Sequence, residues 1–162
     1  MTDGDHVVLL DDDGNPVGTA PKSSVHGTET ALHLAFSCHV LNAEGQVLVT
    51  RRALDKKTWP GVWTNSFCGH PRPAEPLLSA VQRRGEFELG IHLTDIELAL
   101  PLFRYRAVDA GGIVENEICP VYIARTDDEV APNPLEVVEA RWVDPEELGS
   151  SLATTPWAFS PW

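Results

Sequence analysis

The run Ile113 to Ala124 constrains the fold more than any other stretch. It reads as the longest strand of the chain, apolar except for Glu115, Asn116 and Glu117. Side chains alternate between the faces of a strand, so Ile113, Glu115, Glu117, Cys119, Val121 and Ile123 share one face. The two carboxylates then lie about 7 Å apart on that face. The face continues into apolar residues and is expected to turn inward. Two inward carboxylates repel each other and lose hydration, so the fold must bring cations or protons to them. The competing reading is a frayed strand end with both glutamates in water, but buried unpaired carboxylates are rare.

The remaining pattern is of short strands in hairpins with two or three helices between them. His6 to Leu10 predicts a strand, and Asp11 to Pro16 a turn without the ligand spacing of a calcium loop. Gly18 to Glu29 reads as irregular. Leu34 to Leu41 and Gln46 to Arg51 predict a hairpin across Asn42-Ala43-Glu44-Gly45. Glu75 to Leu89 predicts a helix ended by Gly90, with Leu78, Val81 and Leu89 on one face. Gly85 inside it costs about 1 kcal/mol relative to Ala. Glu97 to Tyr105 and Ala140 to Val143 predict strands, and Asp144 caps a final helix. With 162 residues this suits one domain, α/β, with a mixed sheet flanked by helices.

Charge narrows the partners. The net charge is -12, which argues against nucleic acid or an anionic membrane surface. Yet nine of the twelve Lys and Arg fall between Arg51 and Arg106, which favours a small anionic ligand in a positive site. No apolar run reaches the roughly 18 residues of a membrane span, and the acidic N-terminus shows no signal peptide. Three cysteines, Cys38, Cys68 and Cys119, make no disulfide framework; a reducing cytosol is expected. Cys38 and Cys119 read as core residues.

The chemistry concentrates at Asn65-Ser66-Phe67-Cys68-Gly69-His70-Pro71, where a thiol and an imidazole flank a glycine that lets backbone approach a ligand. A turn with Trp59 and Trp63 precedes it. His26, His33 and His70 lie near polar residues; with Glu115 and Glu117 they form a donor set for a divalent transition ion, although no pair has a diagnostic spacing. Trp162, at the end of the chain, is costly to leave in water and is expected to pack back unless a further helix follows.

Gly69, Glu75, Arg83, Glu88 and Gly90 fall in register with the Nudix box, which this stretch resembles. Arg84 and Phe87 stand where that box has glutamates, so the hydrolytic metal cluster is reduced to Glu88. The departures resemble one family, type 1 isopentenyl-diphosphate isomerase. The runs Leu32 to Ser37, Thr50 to Leu54, Trp59 to Ser66, Cys68 to Pro71, Phe103 to Arg106, Glu115 to Glu117 and Thr155 to Trp162 carry the resemblance over nearly the whole chain.

The resemblance implies a Nudix-like mixed β-sheet sandwiched between helices in a single domain, cytosolic and without flavin. It implies that isopentenyl diphosphate and dimethylallyl diphosphate interconvert through a tertiary carbocation. Cys68 would be the acid/base on one face and Glu117 on the other, with Tyr105 close to Glu117 and Trp162 against the cation. His26, His33, His70, Glu115 and Glu117 would hold a divalent ion (manganese, zinc or magnesium). Glu88 would contact a magnesium ion arriving with the diphosphate. Lys22, Arg52, Lys56 and Arg84 would bind the diphosphate. Trp63 and Trp162 are the expected π-faces for the cation. A monomer or weak dimer is expected. Family members usually continue past the position of Trp162 into a covering helix, which this chain is expected to lack. A Nudix hydrolase and a non-enzymatic ligand sensor are the rival readings.

Overall fold

The computed structural model describes residues 5–162; the start of the acidic N-terminus discussed above lies outside them. The strands are β1 (His6–Leu10), β2 (Pro16–Pro21), β3 (His33–Leu34), β4 (Phe36–Leu41), β5 (Val47–Arg52), β6 (Trp63–Thr64) and β7 (Phe67–Gly69), then β8 (Thr94–Leu100), β9 (Arg104–Val108), β10 (Val114–Ile118), β11 (Val121–Arg125) and β12 (Val137–Val143). The helices are α1 (Leu77–Leu89) and α2 (Pro145–Thr154), followed by a 3-10 turn at Pro156–Ala158.

The α/β mixed-strand expectation holds, and the strands divide between two sheets. One runs β2-β1-β3-β10-β9; the other runs β12-β5-β4-β11-β8, with β6 beside β5 and β7 beside β4. The division falls inside two stretches that the sequence reads as continuous strands. Ile113 to Ala124 breaks at Cys119-Pro120, and Leu34 to Leu41 breaks at Ala35. Both segments leave the first sheet and enter the second side by side, β10 parallel to β3 and β11 parallel to β4. Ala35 N donates to Ile118 O at 3.0 Å and Ser37 N to Pro120 O at 3.0 Å, so the crossing itself is hydrogen-bonded. Pro120 lacks an N–H to give a ladder, which suits the break. Glu115 and Glu117 keep their common buried face; Val121 and Ile123 belong to the other sheet.

Two more boundaries differ. Glu97 to Tyr105 is split by a turn at Pro101-Leu102, and the start of Gly18 to Glu29 is not irregular but completes β2, pairing with β1. Helix α1 ends as expected, with Gly90 left-handed at φ 64° and its N–H on Glu86 O. It lays Ala80, Val81 and Leu89 on Phe36, Cys38, Val40, Tyr122 and Ala124. Leu78 is 48% exposed, and Leu77 packs against the core instead. Helix α2 begins where Asp144 Oδ1 accepts from the N–H of Glu146 and Glu147. It lines a groove with His39, Leu41, Val121 and Ile123, the alternate side chains of β4 and β11, so the second sheet lies between the two helices.

Gly85 has a packing reason. A Cβ there would stand 3.1 Å from Leu93 Cδ1 and 3.3 Å from Phe67 Cζ. The glycine lets α1 approach the sheet closely. Gly85→Leu overpacks this contact, and urea denaturation should show a loss of about 1–3 kcal/mol.

Candidate active site

The site is built on one row of residues across three strands. Glu117 of β10 is register partner to His33 of β3 on one side and to Tyr105 of β9 on the other. The Tyr105 hydroxyl donates to Glu117 Oε1 in a short hydrogen bond. Glu117 Oε2 lies 3.0 Å from His33 Nε2 and 2.7 Å from His70 Nε2. His26 closes the group, so that ligand atoms of His26, His33, His70 and Glu117 all lie within 4.8 Å of one another. Glu115 meets the group from the side, its Oε2 2.9 Å from His26 Nε2. All five residues of the expected donor set are therefore brought together, with Glu115 at the edge.

The protonation pattern suits a divalent cation. A backbone carbonyl only accepts, so His33 Nδ1, 2.9 Å from Ala31 O, carries the ring proton. Its buried Nε2 then turns a lone pair toward the Glu117 carboxylate and makes no hydrogen bond. Two electron-rich atoms at this separation call for a positive charge between them. Burial pushes His70 down to about 3, leaving it neutral, as a ligand must be. Burial opposes ionisation of Glu117, but its close contacts with His33 and His70 outweigh it and hold the carboxyl well below its usual range. Imidazole nitrogens with carboxylate oxygens are donors for a divalent transition ion.

Cys68 comes from β7, opposite Ser37 of β4. Burial pushes its thiol up to about 11, with Arg52 opposing, so it holds its proton near neutrality. Gly69 lines the cavity and also makes room for the Arg84 stem: a Cβ there would stand 2.8 Å from Arg84 Cγ and 3.0 Å from Phe36 Cζ. Cys38 and Cys119 are buried core residues, as expected.

These groups open on a cavity of about 400 Å³. Cys68, Glu117, Glu115, His26 and His70 line it together with Lys22, Arg52, Lys56, Arg84 and Glu88, while His33 is wholly buried. Tyr105 and Trp162 also line it. Trp162 does pack back: it meets Trp59 edge-on at 5.4 Å and Tyr105 at 5.8 Å, with the Arg52 guanidinium 5.1 Å from its ring centroid. Trp63, expected to supply a second π-face, instead lies under Arg141, and its strand pairs with β5.

The cations are held by acids. Arg84 pairs with Glu88 at 3.3 Å and with Glu136 at 3.5 Å, and Lys56 forms a short ion pair with Glu136. Burial pushes Lys22 down to about 8. It does the same to Lys56, where the Glu136 carboxylate in contact favours the charged form. Glu75 and Arg83, two residues of the box pattern, form a bidentate pair at 2.8 and 2.9 Å that ties the loop to α1. Sequence reasoning missed Glu136 and Thr58, which also line the cavity. Glu136 is a polar loop residue with no motif around it, and Thr58 stands just outside the Trp59 to Ser66 run.

The NUDIX domain matches residues 31–162. An isopentenyl-diphosphate Delta-isomerase of Agromyces mediolanus is 68% identical over 156 residues, covering 96% of this chain and 76% of the relative. One from Klebsiella pneumoniae is 57% identical over 159 residues, covering 98% of this chain and 86% of the relative. Among solved structures, a Deinococcus radiodurans protein aligns with a TM-score of 0.70 at 20% identity, covering 93% of this chain and 90% of that one. A MutT protein from Methanosarcina mazei aligns at 0.60 and 20% identity, over 80% and 85% of the two chains. The last two speak for the fold alone. From its own sequence, its geometry and these relatives, the chain belongs to the Nudix superfamily and, within it, to the isopentenyl-diphosphate Delta-isomerases.

Proposed function

We propose that this chain interconverts isopentenyl diphosphate and dimethylallyl diphosphate. The observation that carries the reading is a protonated thiol, Cys68, and an ionised carboxylate, Glu117, on one cavity whose other wall is cationic. A proton is added to the terminal CH2 carbon of the alkene, which leaves a tertiary carbocation at the neighbouring carbon. Loss of a proton from carbon 2 then forms the new double bond. In the protonation state described, Cys68 Sγ gives the proton and Glu117 takes one; the reverse reaction exchanges these roles.

Each neighbour has a defined part. Tyr105 keeps its own proton, because burial and the Glu117 charge both raise its pKa well above normal, and it orients Glu117 Oε1. The ring of Trp162 offers a π-face to the carbocation, while the walls exclude water that would trap it. Lys22, Arg52, Lys56 and Arg84 hold the diphosphate and so place the alkene. His26, His33, His70, Glu115 and Glu117 would hold one divalent ion and Glu88 would contact a magnesium ion with the diphosphate, each of which would supply fixed positive charge. None of the helices in the described residues is long and apolar enough to cross a membrane, and the substrate is a small, water-borne anion.

Proton NMR of isopentenyl diphosphate in heavy water tests the reading. Dimethylallyl diphosphate carrying deuterium should form, and Cys68→Ala or Glu117→Gln should each lower kcat by at least about 100-fold. Release of inorganic phosphate without isomerisation would mean a hydrolase instead. Dialysis against a chelator should abolish turnover and lower the thermal midpoint, since a ligand at 100 times its Kd adds about 2.7 kcal/mol to the folded state. Added manganese should restore both.

The pH profile has a stated sign. Lys22 must be protonated to hold the diphosphate, and its pKa in the free protein is about 8. Therefore kcat/KM should fall as the pH rises past about 8, and Lys22→Arg combined with Lys56→Arg, the two lysines that burial lowers to that value, should move that fall to higher pH.

A further inference from the structure

We infer that Thr58 is a positioning residue that ties the His/Glu cluster to the diphosphate-binding arginine. Thr58 is only 4% exposed, a buried hydroxyl in the loop between β5 and β6. Its backbone carbonyl accepts from Arg52 Nε at 3.1 Å and from Arg52 Nη2 at 2.9 Å. Its Oγ1 accepts from Arg52 Nη2 at 3.2 Å, and its O–H donates to Glu115 Oε1 at 2.9 Å.

The direction of this chain is forced by chemistry. Arginine is a donor only, and an ionised carboxylate is an acceptor only. The hydroxyl therefore accepts a hydrogen bond from the arginine and donates one to the carboxylate. With Oε1 held by Thr58, Glu115 presents Oε2 to His26. With Nε and Nη2 held by Thr58, Arg52 turns Nη1 toward the cavity, where it donates to Cys68 Sγ at 4.0 Å, and its guanidinium stays over the Trp162 ring. One side chain thus fixes a member of each half of the site.

The backbone is set to aim it. The next residue, Trp59, has φ 43°, a left-handed conformation costing a bulky residue about 1–3 kcal/mol. Its N–H is held by Asp109 Oδ2 at 3.3 Å, and its ring by Trp162. A strained turn anchored from both sides holds Thr58 inward.

A threonine that merely fills space would be replaced by valine without effect, because the two have nearly the same shape. Thr58→Val removes the donor to Glu115 and the acceptor for Arg52. Removing a hydrogen-bond partner of a metal ligand typically costs 10–100-fold in metal affinity. We expect the Kd of the metal-free protein for Mn2+, read by electron paramagnetic resonance, to rise about tenfold in Thr58→Val and to return within about twofold of the original in Thr58→Ser. The KM for isopentenyl diphosphate should rise more than kcat falls, and the thermal midpoint of the metal-free protein should stay within a few degrees.

Mn2+ binding by Thr58→Val equal to that of the unaltered chain would overturn the inference. So would a serine variant as impaired as the valine one, which would assign the effect to the methyl group. The KM readout rests on the isomerase reading above, whereas the Mn2+ readout does not. A chain that binds Mn2+ without isomerising its substrate would sink that reading and still decide the role of Thr58.

Discussion

The buried carboxylate of Glu117 is the constraint around which this molecule is arranged. It is 5% exposed in the middle of a five-stranded sheet and answers to four groups at once: Tyr105, His33, His70 and the cation that the histidines suit. A buried charge deprived of its partners costs about 3–5 kcal/mol, so those partners must be brought to it by rigid elements. Two of them arrive through backbone pairing alone, as register neighbours on the flanking strands. His70 comes from the end of β7, which belongs to the other sheet. The cluster therefore forms only where the two sheets meet.

That meeting place is also what gives the cavity two unlike ends. Glu115, Glu117, His26 and His33 come from β10, β3 and the segment before β3, and His70 from the end of β7. The basic residues come from the end of β5, the loop after it and α1, with Lys22 just beyond β2. Along β5 and its exit the alternation of faces separates two adjacent arginines: Arg51 turns outward to Glu139, and Arg52 turns inward beneath Trp162. Glu136 bridges Lys56 and Arg84, and Glu88 pairs with Arg84 alone. An acid and a cation on one substrate need this separation, because the same pocket must bind a diphosphate and tolerate a carbocation.

Much of this was legible beforehand, because local chemistry carries it. The spacing of Glu115 and Glu117 put both on one buried face, and Gly90 ended the helix where its backbone goes left-handed. Other parts were hidden for identifiable reasons. The strand breaks at Ala35 and Cys119-Pro120 were invisible because the apolar pattern continues across them; only the partner strand on each side changes. Trp63 and Trp59 were indistinguishable as aromatic residues of one turn, and only the tertiary packing sets Trp59 against Trp162 and Trp63 beneath Arg141. Glu136 and Thr58 carried no pattern, since Glu136 meets Lys56 and Arg84, and Thr58 meets Glu115, across long stretches of sequence.

The sequence by itself determined the family, the helix ends and the chemical inventory: a thiol, paired carboxylates, three histidines, a cluster of cations and a terminal tryptophan. These follow from residue types and short spacings, which any fold must honour. The tertiary structure decided which atoms meet. It set the row Tyr105–Glu117–His33, packed the stem of Arg84 against Gly69, and left the Glu75–Arg83 pair to fasten a loop. The physical reason is range. Backbone propensity acts over a few residues, whereas register between strands and the crossing of two sheets are fixed by burial and hydrogen bonding summed over the whole chain.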